Sequence, residues 1–221
     1  GNPKVWLFPD LVSIARRWMR QCLVLKGDTF PQLLLLVEKS HQAADRIYQA
    51  VVAAEDGQKR LLPIPKPYDT LGSTRYVDFD TTRPVYKTDP AKCHVSHVVA
   101  DTDSWEQKLA HTLEQMPEVL SYVKNDHLGF VIPYTINGHQ RNYTPDFLVR
   151  LDDGRGRGDP LNLIIEVSGQ RDAEKGIKVA TARNLWVPAV NNAGTWGRWD
   201  FLEITDPWDA QQTIRQELKE L

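Results

Sequence analysis

The run Leu161-Asn162-Leu163-Ile164-Ile165-Glu166-Val167 is almost wholly apolar and closes on a carboxylate. A half-exposed strand alternates polar and apolar residues. A short run without that alternation reads as a buried strand inside a layered sheet. Its neighbours supply the layers. Phe130 to Ile136 reads as a strand, Asn137-Gly138 as a tight turn, and the chain from Tyr143 to Val149 as the returning arm of a hairpin. A helix from about Asp172 to Asn184 follows the buried run, then strands over Trp186–Val190 and Trp199–Thr205, and a last helix from Pro207. Helix, hairpin, strand, helix and strand in that order make an α/β core with a mixed sheet flanked by helices.

The part before this core reads as helical and then loop-rich. Leu11, Ile14, Ala15, Trp18 and Cys22 recur at helical spacing behind Pro9, and a second helix is expected from Pro31 to about Ala54, ahead of Gly57. Arg16, Arg17 and Arg20 on the first helix read as a solvated face, with phosphate contact as the alternative. Proline-marked segments between Leu61 and Ser73 read as linker. Tyr76–Phe79, Pro84–Tyr86 and His94–Ala100 are short strand candidates. Asp103 or Ser104 suits the cap of a helix through Met116. Val119, Leu120 and Val123 read as its resumption beyond Pro117.

A net charge of −2 gives no overall basic footprint for nucleic acid, though local affinity needs none. Cys22 and Cys93 form neither a disulfide framework nor a zinc pattern, which suits a reducing, cytoplasmic setting. No apolar stretch approaches the roughly 18 residues of a membrane span, so no membrane partner is expected. The chain carries no phosphate-binding loop of an ATP motor.

The chemistry concentrates in two places. Pro145-Asp146 opens the run Phe147-Leu148-Val149, and Glu166 closes the buried strand. An acid at the head of one strand and another at the tail of the next lets two carboxylates meet at one divalent cation, as a phosphodiester hydrolase of the PD-(D/E)xK type requires. That pattern has a lysine two residues after the second acid, on the same face of the strand. Here Ser168 occupies the place. Lys175 and Lys178, three apart on the following helix, are the candidates to swing a charge back, with Lys178 preferred because Ile177 and Val179 anchor its stretch. The bland alternative makes both lysines surface residues. Glu106, early in its helix, either complements the helix dipole or joins the metal site. Arg155 and Arg157, in the loop from Asp152 to Pro160, either line a flexible loop or grip a DNA backbone, with Lys175 as a further DNA contact.

Trp105-Glu106-Gln107-Lys108, Gly129-Phe130 through Tyr143-Thr144-Pro145-Asp146-Phe147, Ile165-Glu166-Val167-Ser168-Gly169 and Arg183-Asn184-Leu185-Trp186-Val187-Pro188-Ala189-Val190-Asn191 together resemble the C-terminal nuclease region of type III restriction enzymes. They also resemble restriction proteins that fuse a superfamily 2 helicase to such a nuclease. Phe30 to Leu33 and Tyr76 to Asp80 resemble the stretch between helicase and nuclease. The resemblance implies a helical linker region over residues 1–75 and a PD-(D/E)xK-like nuclease domain over 76–221. It puts the family's acids on Glu106, Asp146 and Glu166, with Mg2+ as the expected metal and Mn2+ as its substitute. The implied activity is Mg2+-dependent endonucleolytic cleavage of double-stranded DNA in a restriction system. The implied partners are an upstream ATP-dependent helicase and a methyltransferase subunit. A catalytically weak or inactive nuclease-fold module, binding DNA or docking onto a methylase or helicase, is the alternative that Ser168 keeps open.

Overall fold

A computed structural model describes residues 8–53, 61–64, 72–99, 105–136, 139–168 and 173–220. The chain divides into two compact units, residues 1–57 with 135–141 and residues 58–134 with 142–221. The first holds helix α1 (Phe8–Cys22), a 3-10 turn (Pro31–Leu35) and α2 (Val37–Ala53). None of the described side chains in these helices is buried, and Arg16, Arg17 and Arg20 lie in solvent. The stretch expected as one helix from Pro31 is therefore a short 3-10 turn, then α2.

The second unit carries the sheet. Strands β1 (Val85–Lys87) and β2 (His97–Val99) pair antiparallel. Then come α3 (Trp105–Gln115), β3 (Val119–Lys124), the paired β4 (Ile132–Ile136) and β5 (His139–Tyr143), of which residues 135–141 count with the first unit, β6 (Phe147–Leu151) and β7 (Leu161–Val167). The chain continues as α4 (Ala173–Thr181), a π turn (Ala182–Trp186), α5 (Val187–Ala193), β8 (Arg198–Ile204) and α6 (Ala210–Glu220). The main sheet has the order β3-β6-β7-β8. Its first two pairings are antiparallel and β7-β8 is parallel, so the sheet is mixed and the architecture α/β.

Covering the sheet on both sides accounts for the largely apolar run of β7. Leu161, Leu163 and Ile165 share a core with Leu109, Ala110 and Leu113 of α3 and with Ala210 and Ile214 of α6. On the other face Ile164 and Phe201 are fully buried, and α5 and the π turn pack on β8. Burying a side chain of this size contributes about 1.5–3 kcal/mol each, which makes β7 the element the sheet is built around.

Four further expectations change. Val119 to Val123 is strand β3 rather than a resumed helix: Pro117 ends the helix, and Val119, Tyr122 and Val123 suit a pleated surface. The arm expected from Tyr143 to Val149 is two strands in different sheets, because Thr144-Pro145-Asp146 interrupts pairing and Pro145 has no N–H to donate. Trp186–Val190 is helical. Val187 donates back to Ala182 O with π spacing, one residue before Pro188, whose missing N–H breaks the regular ladder there; Gly194 then caps α5 at φ 67°. Tyr76–Phe79 forms no strand, and a 3-10 turn covers Thr74–Tyr76 instead. The Asn137-Gly138 turn, the Asp103 or Ser104 cap, Gly57 and Ala100 lie outside the described residues.

The loop joining β6 to β7 is fastened by Arg198. Its Nη1 and Nη2 donate to the two carboxylate oxygens of Asp153 at 2.6 and 2.9 Å, and its Nε donates to Asp159 at 3.1 Å. This fork holds the Asp153 carboxyl below its usual range. Arg198→Ala is expected to lower unfolding stability by about 1 kcal/mol, since half-exposed charge-assisted bonds are partly screened. A urea titration checks it, and an unchanged midpoint would show the fork to be incidental.

Candidate active site

Asp146 and Glu166 come together at one end of the sheet. The β6-β7 ladder ends on the pair Phe147–Ile165, so one further step sets Asp146 opposite Glu166. Directly opposed residues in an antiparallel pair project from the same face. Val167 N–H donates to Asp146 Oδ2 at 2.7 Å, which fixes the Asp146 side chain across the strand gap. Asn125 N–H donates to Asp146 O at 2.8 Å and holds the main chain from the other side. The interruption at Pro145 serves this placement, because it delivers Asp146 to the head of β6 free of the β5 ladder.

Glu166 is held by Tyr143, the last residue of β5, whose hydroxyl donates to Oε2 at 2.5 Å. Its other oxygen, Oε1, lies 3.8 Å from Lys175 Nζ on α4. Burial pushes the Glu166 carboxyl up to about 7; the nearby Asp146 charge adds to the rise, against the Tyr143 hydroxyl and the two lysines. Asp146 is also raised. Burial is the main cause, the Val167 N–H and Lys124 oppose it, and the Glu106 charge adds to it. The same contacts push the Tyr143 phenol far above its ordinary value, so it stays a donor. Two half-buried carboxylates side by side, each raised by desolvation, form a place where added positive charge is stabilising.

The remaining expected residues divide. Glu106 is buried in the first turn of α3, within electrostatic reach of Asp146. Of the two lysines, Lys175 approaches Glu166. Lys178 sits 3.4 Å from Glu174 and 5.7 Å from the centre of the Tyr134 ring, and reaches Glu166 only as a weaker charge. Of the two candidates, Lys175 and not the preferred Lys178 is therefore the nearer to Glu166. Arg155 and Arg157 are exposed in the loop at the opposite end of β6 and β7. Leu161 and Glu166 are five residue steps apart on β7, so the two arginines stand roughly 17 Å or more from the acids along the strand. The fold does not bring them to the site.

Ser168 is 3% exposed, and its hydroxyl donates to Glu203 Oε1 at 2.5 Å. Glu203 is the β8 partner of Glu166 in the parallel ladder, so Ser168 ties down the next carboxylate in the row. Sequence reasoning missed Lys124, Tyr143 and Glu203. Lys124 is buried, with Nζ donating to Val99 O at 2.6 Å, and it faces Phe147, one residue from Asp146. A strand reading of Val119–Val123 would have found it. Tyr143 stood three residues before Asp146 in plain view.

Whether these residues suit a metal depends on the donor set. Among the described residues no three His, Cys, Asp or Glu side chains gather as a cage. Mg2+ needs none, because it keeps several waters and takes one or two carboxylates. Beyond the Val167 and Tyr143 contacts Asp146 has its Oδ1 and Glu166 its Oε1, the latter 3.8 Å from Lys175 Nζ, so the pair offers two oxygens to a hard cation held largely by water. Among the described residues no helix is long and apolar enough to cross a membrane. Compared with known proteins, the chain matches no family model, no curated protein and no solved structure.

Proposed function

We propose that this chain is a Mg2+-dependent DNA endonuclease domain of restriction-endonuclease-like fold, working in the cytoplasm beside an ATP-dependent helicase and a methyltransferase subunit. The observation that carries the reading is the opposition of Asp146 and Glu166 across β6-β7, with Lys175 Nζ on the Glu166 side. Bound between the two acids, Mg2+ would supply Lewis acidity and positive charge to a scissile phosphodiester. The protein's own groups do the rest. Tyr143 fixes the orientation of Glu166, the Val167 N–H fixes Asp146, and Lys175 offers a cation to the phosphate from the helix that follows the strand. Lys175 thereby takes the part of the lysine that Ser168 replaces.

The test is cleavage of supercoiled DNA by the purified chain with Mg2+ or Mn2+, with Lys175→Met and Lys178→Met compared. Lys175→Met is expected to slow cleavage at least about tenfold more than Lys178→Met, since only the former removes the cation beside Glu166. The reverse ranking would return the role to Lys178. Ser168 supports the second reading, an inactive module that binds DNA or docks on a partner. Wild-type protein that binds DNA and takes up no metal would establish it.

A further inference from the structure

Asn125 lies one residue beyond β3, and the β3-β6 ladder ends on the pair Lys124–Phe147. One further step sets Asn125 opposite Asp146, and its N–H bond to Asp146 O holds that register. Asn125, Asp146 and Glu166 therefore stand side by side across three strands, in one row. The Asn125 side chain is 6% exposed, and its Nδ2 donates to Phe130 O at 2.7 Å and Pro145 O at 2.9 Å. Both partners are carbonyls and require a donor, so the amide can point only one way. That leaves Oδ1 as a buried acceptor with no partner among the described residues. Such an atom calls for a ligand, because burying an unmatched acceptor is costly. An amide oxygen is an ordinary donor for hard divalent cations and their waters. The two carboxylates beside it supply the charge that an amide lacks.

We infer that Asn125 is the third oxygen donor of this site, its Oδ1 joining Asp146 and Glu166 in holding a hard divalent cation, directly or through one water. The inference rests on the metal-site reading of the two acids. It makes Asn125 more than a clamp on the Pro145–Asp146 corner.

The experiment is calorimetric titration of the whole chain with Mn2+ alone, on wild type, Asn125→Ala, Asn125→Asp and Asp146→Ala, with thermal unfolding of each. Asn125→Ala is expected to weaken Mn2+ binding about tenfold or more. Asn125→Asp keeps an oxygen but loses both donated bonds. It should therefore unfold at lower temperature while binding Mn2+ at least as well as wild type. A clamp that only shapes the corner does not give that divergence of stability and affinity. Wild-type Mn2+ affinity in both folded variants would overturn the role of Asn125 and leave the two acids standing. Failure of wild type to bind Mn2+, or binding that survives Asp146→Ala, would overturn the metal-site reading and this inference with it. Should both Asn125 variants fail to fold, the wild-type Asn125 side-chain carbonyl resonance decides. Movement in step with Mg2+ occupancy supports the inference, and a stationary signal overturns it.

Discussion

Asp146→Ala and Glu166→Ala are each expected to abolish metal-dependent DNA cleavage, by a factor on the order of 10²–10³ or more, while leaving a folded protein. The size follows from what each acid does. Each would provide half of the charge that holds the cation, and deleting one preorganised electrostatic interaction from such a site raises the barrier by about 3–4 kcal/mol. The folded state should survive, because both side chains sit at a strand end and neither belongs to the apolar core shared by β7, α3 and α6. Burial raises both carboxyls, so each substitution removes a penalised charge, and Asp146→Ala also removes one of the causes that raise Glu166. The variants should therefore unfold no earlier than wild type at pH 8. Gel assays of supercoiled DNA with Mg2+ measure the first claim, and thermal scans the second. Cleavage that persists in both variants would place the activity outside this row. Loss of cleavage together with collapse of the fold would make the acids structural.

Much of the site was legible because acids at strand ends are conspicuous against apolar runs. Asp146 before Phe147-Leu148-Val149 and Glu166 within Leu161–Val167 announce both a strand and a charge that burial must answer. The mixed α/β architecture was legible for the same reason, through the β7 run and the flanking helices. What stayed hidden depended on pairing partners far along the chain. Lys124 and Asn125 mean nothing at the site until β3 is placed beside β6, and Val119–Val123 carries a short apolar pattern that fits a helix as readily as a strand. The same ambiguity turned Trp186–Val190 into an expected strand, where Pro188 and the π turn make helix. Choosing between Lys175 and Lys178 required the phase of α4 against the end of β7. Spacing along one helix contains no such information: both lysines share a face, and only Lys175 stands within 3.8 Å of Glu166.

The raised Glu166 carboxyl has a consequence for stability that separates a cation site from an ordinary buried acid. Its ordinary value is 4.5 and the fold moves it to about 7, so the folded state binds a proton more tightly than the unfolded chain. Stability contributed by this group is therefore greatest below pH 4.5, declines as pH rises from 4.5 to 7, and carries its full penalty above 7. Asp146, shifted in the same direction, adds to the slope. Glu166→Gln removes the charge, keeps the shape and is expected to stabilise the metal-free protein by about 2 kcal/mol at pH 8, with little effect at pH 5. Mn2+ should do for wild type what the substitution does for the variant. It should raise the unfolding midpoint strongly at pH 8, where both acids are ionised, and hardly at pH 5, where protons occupy Glu166. Thermal scans of both proteins at the two pH values, with and without Mn2+, measure all four quantities. A midpoint that responds equally to Mn2+ at pH 5 and pH 8, or a Glu166→Gln protein still stabilised as much as wild type, would mean that the cation binds elsewhere. The Asp146–Glu166 opposition would then be a strained but silent feature of the sheet.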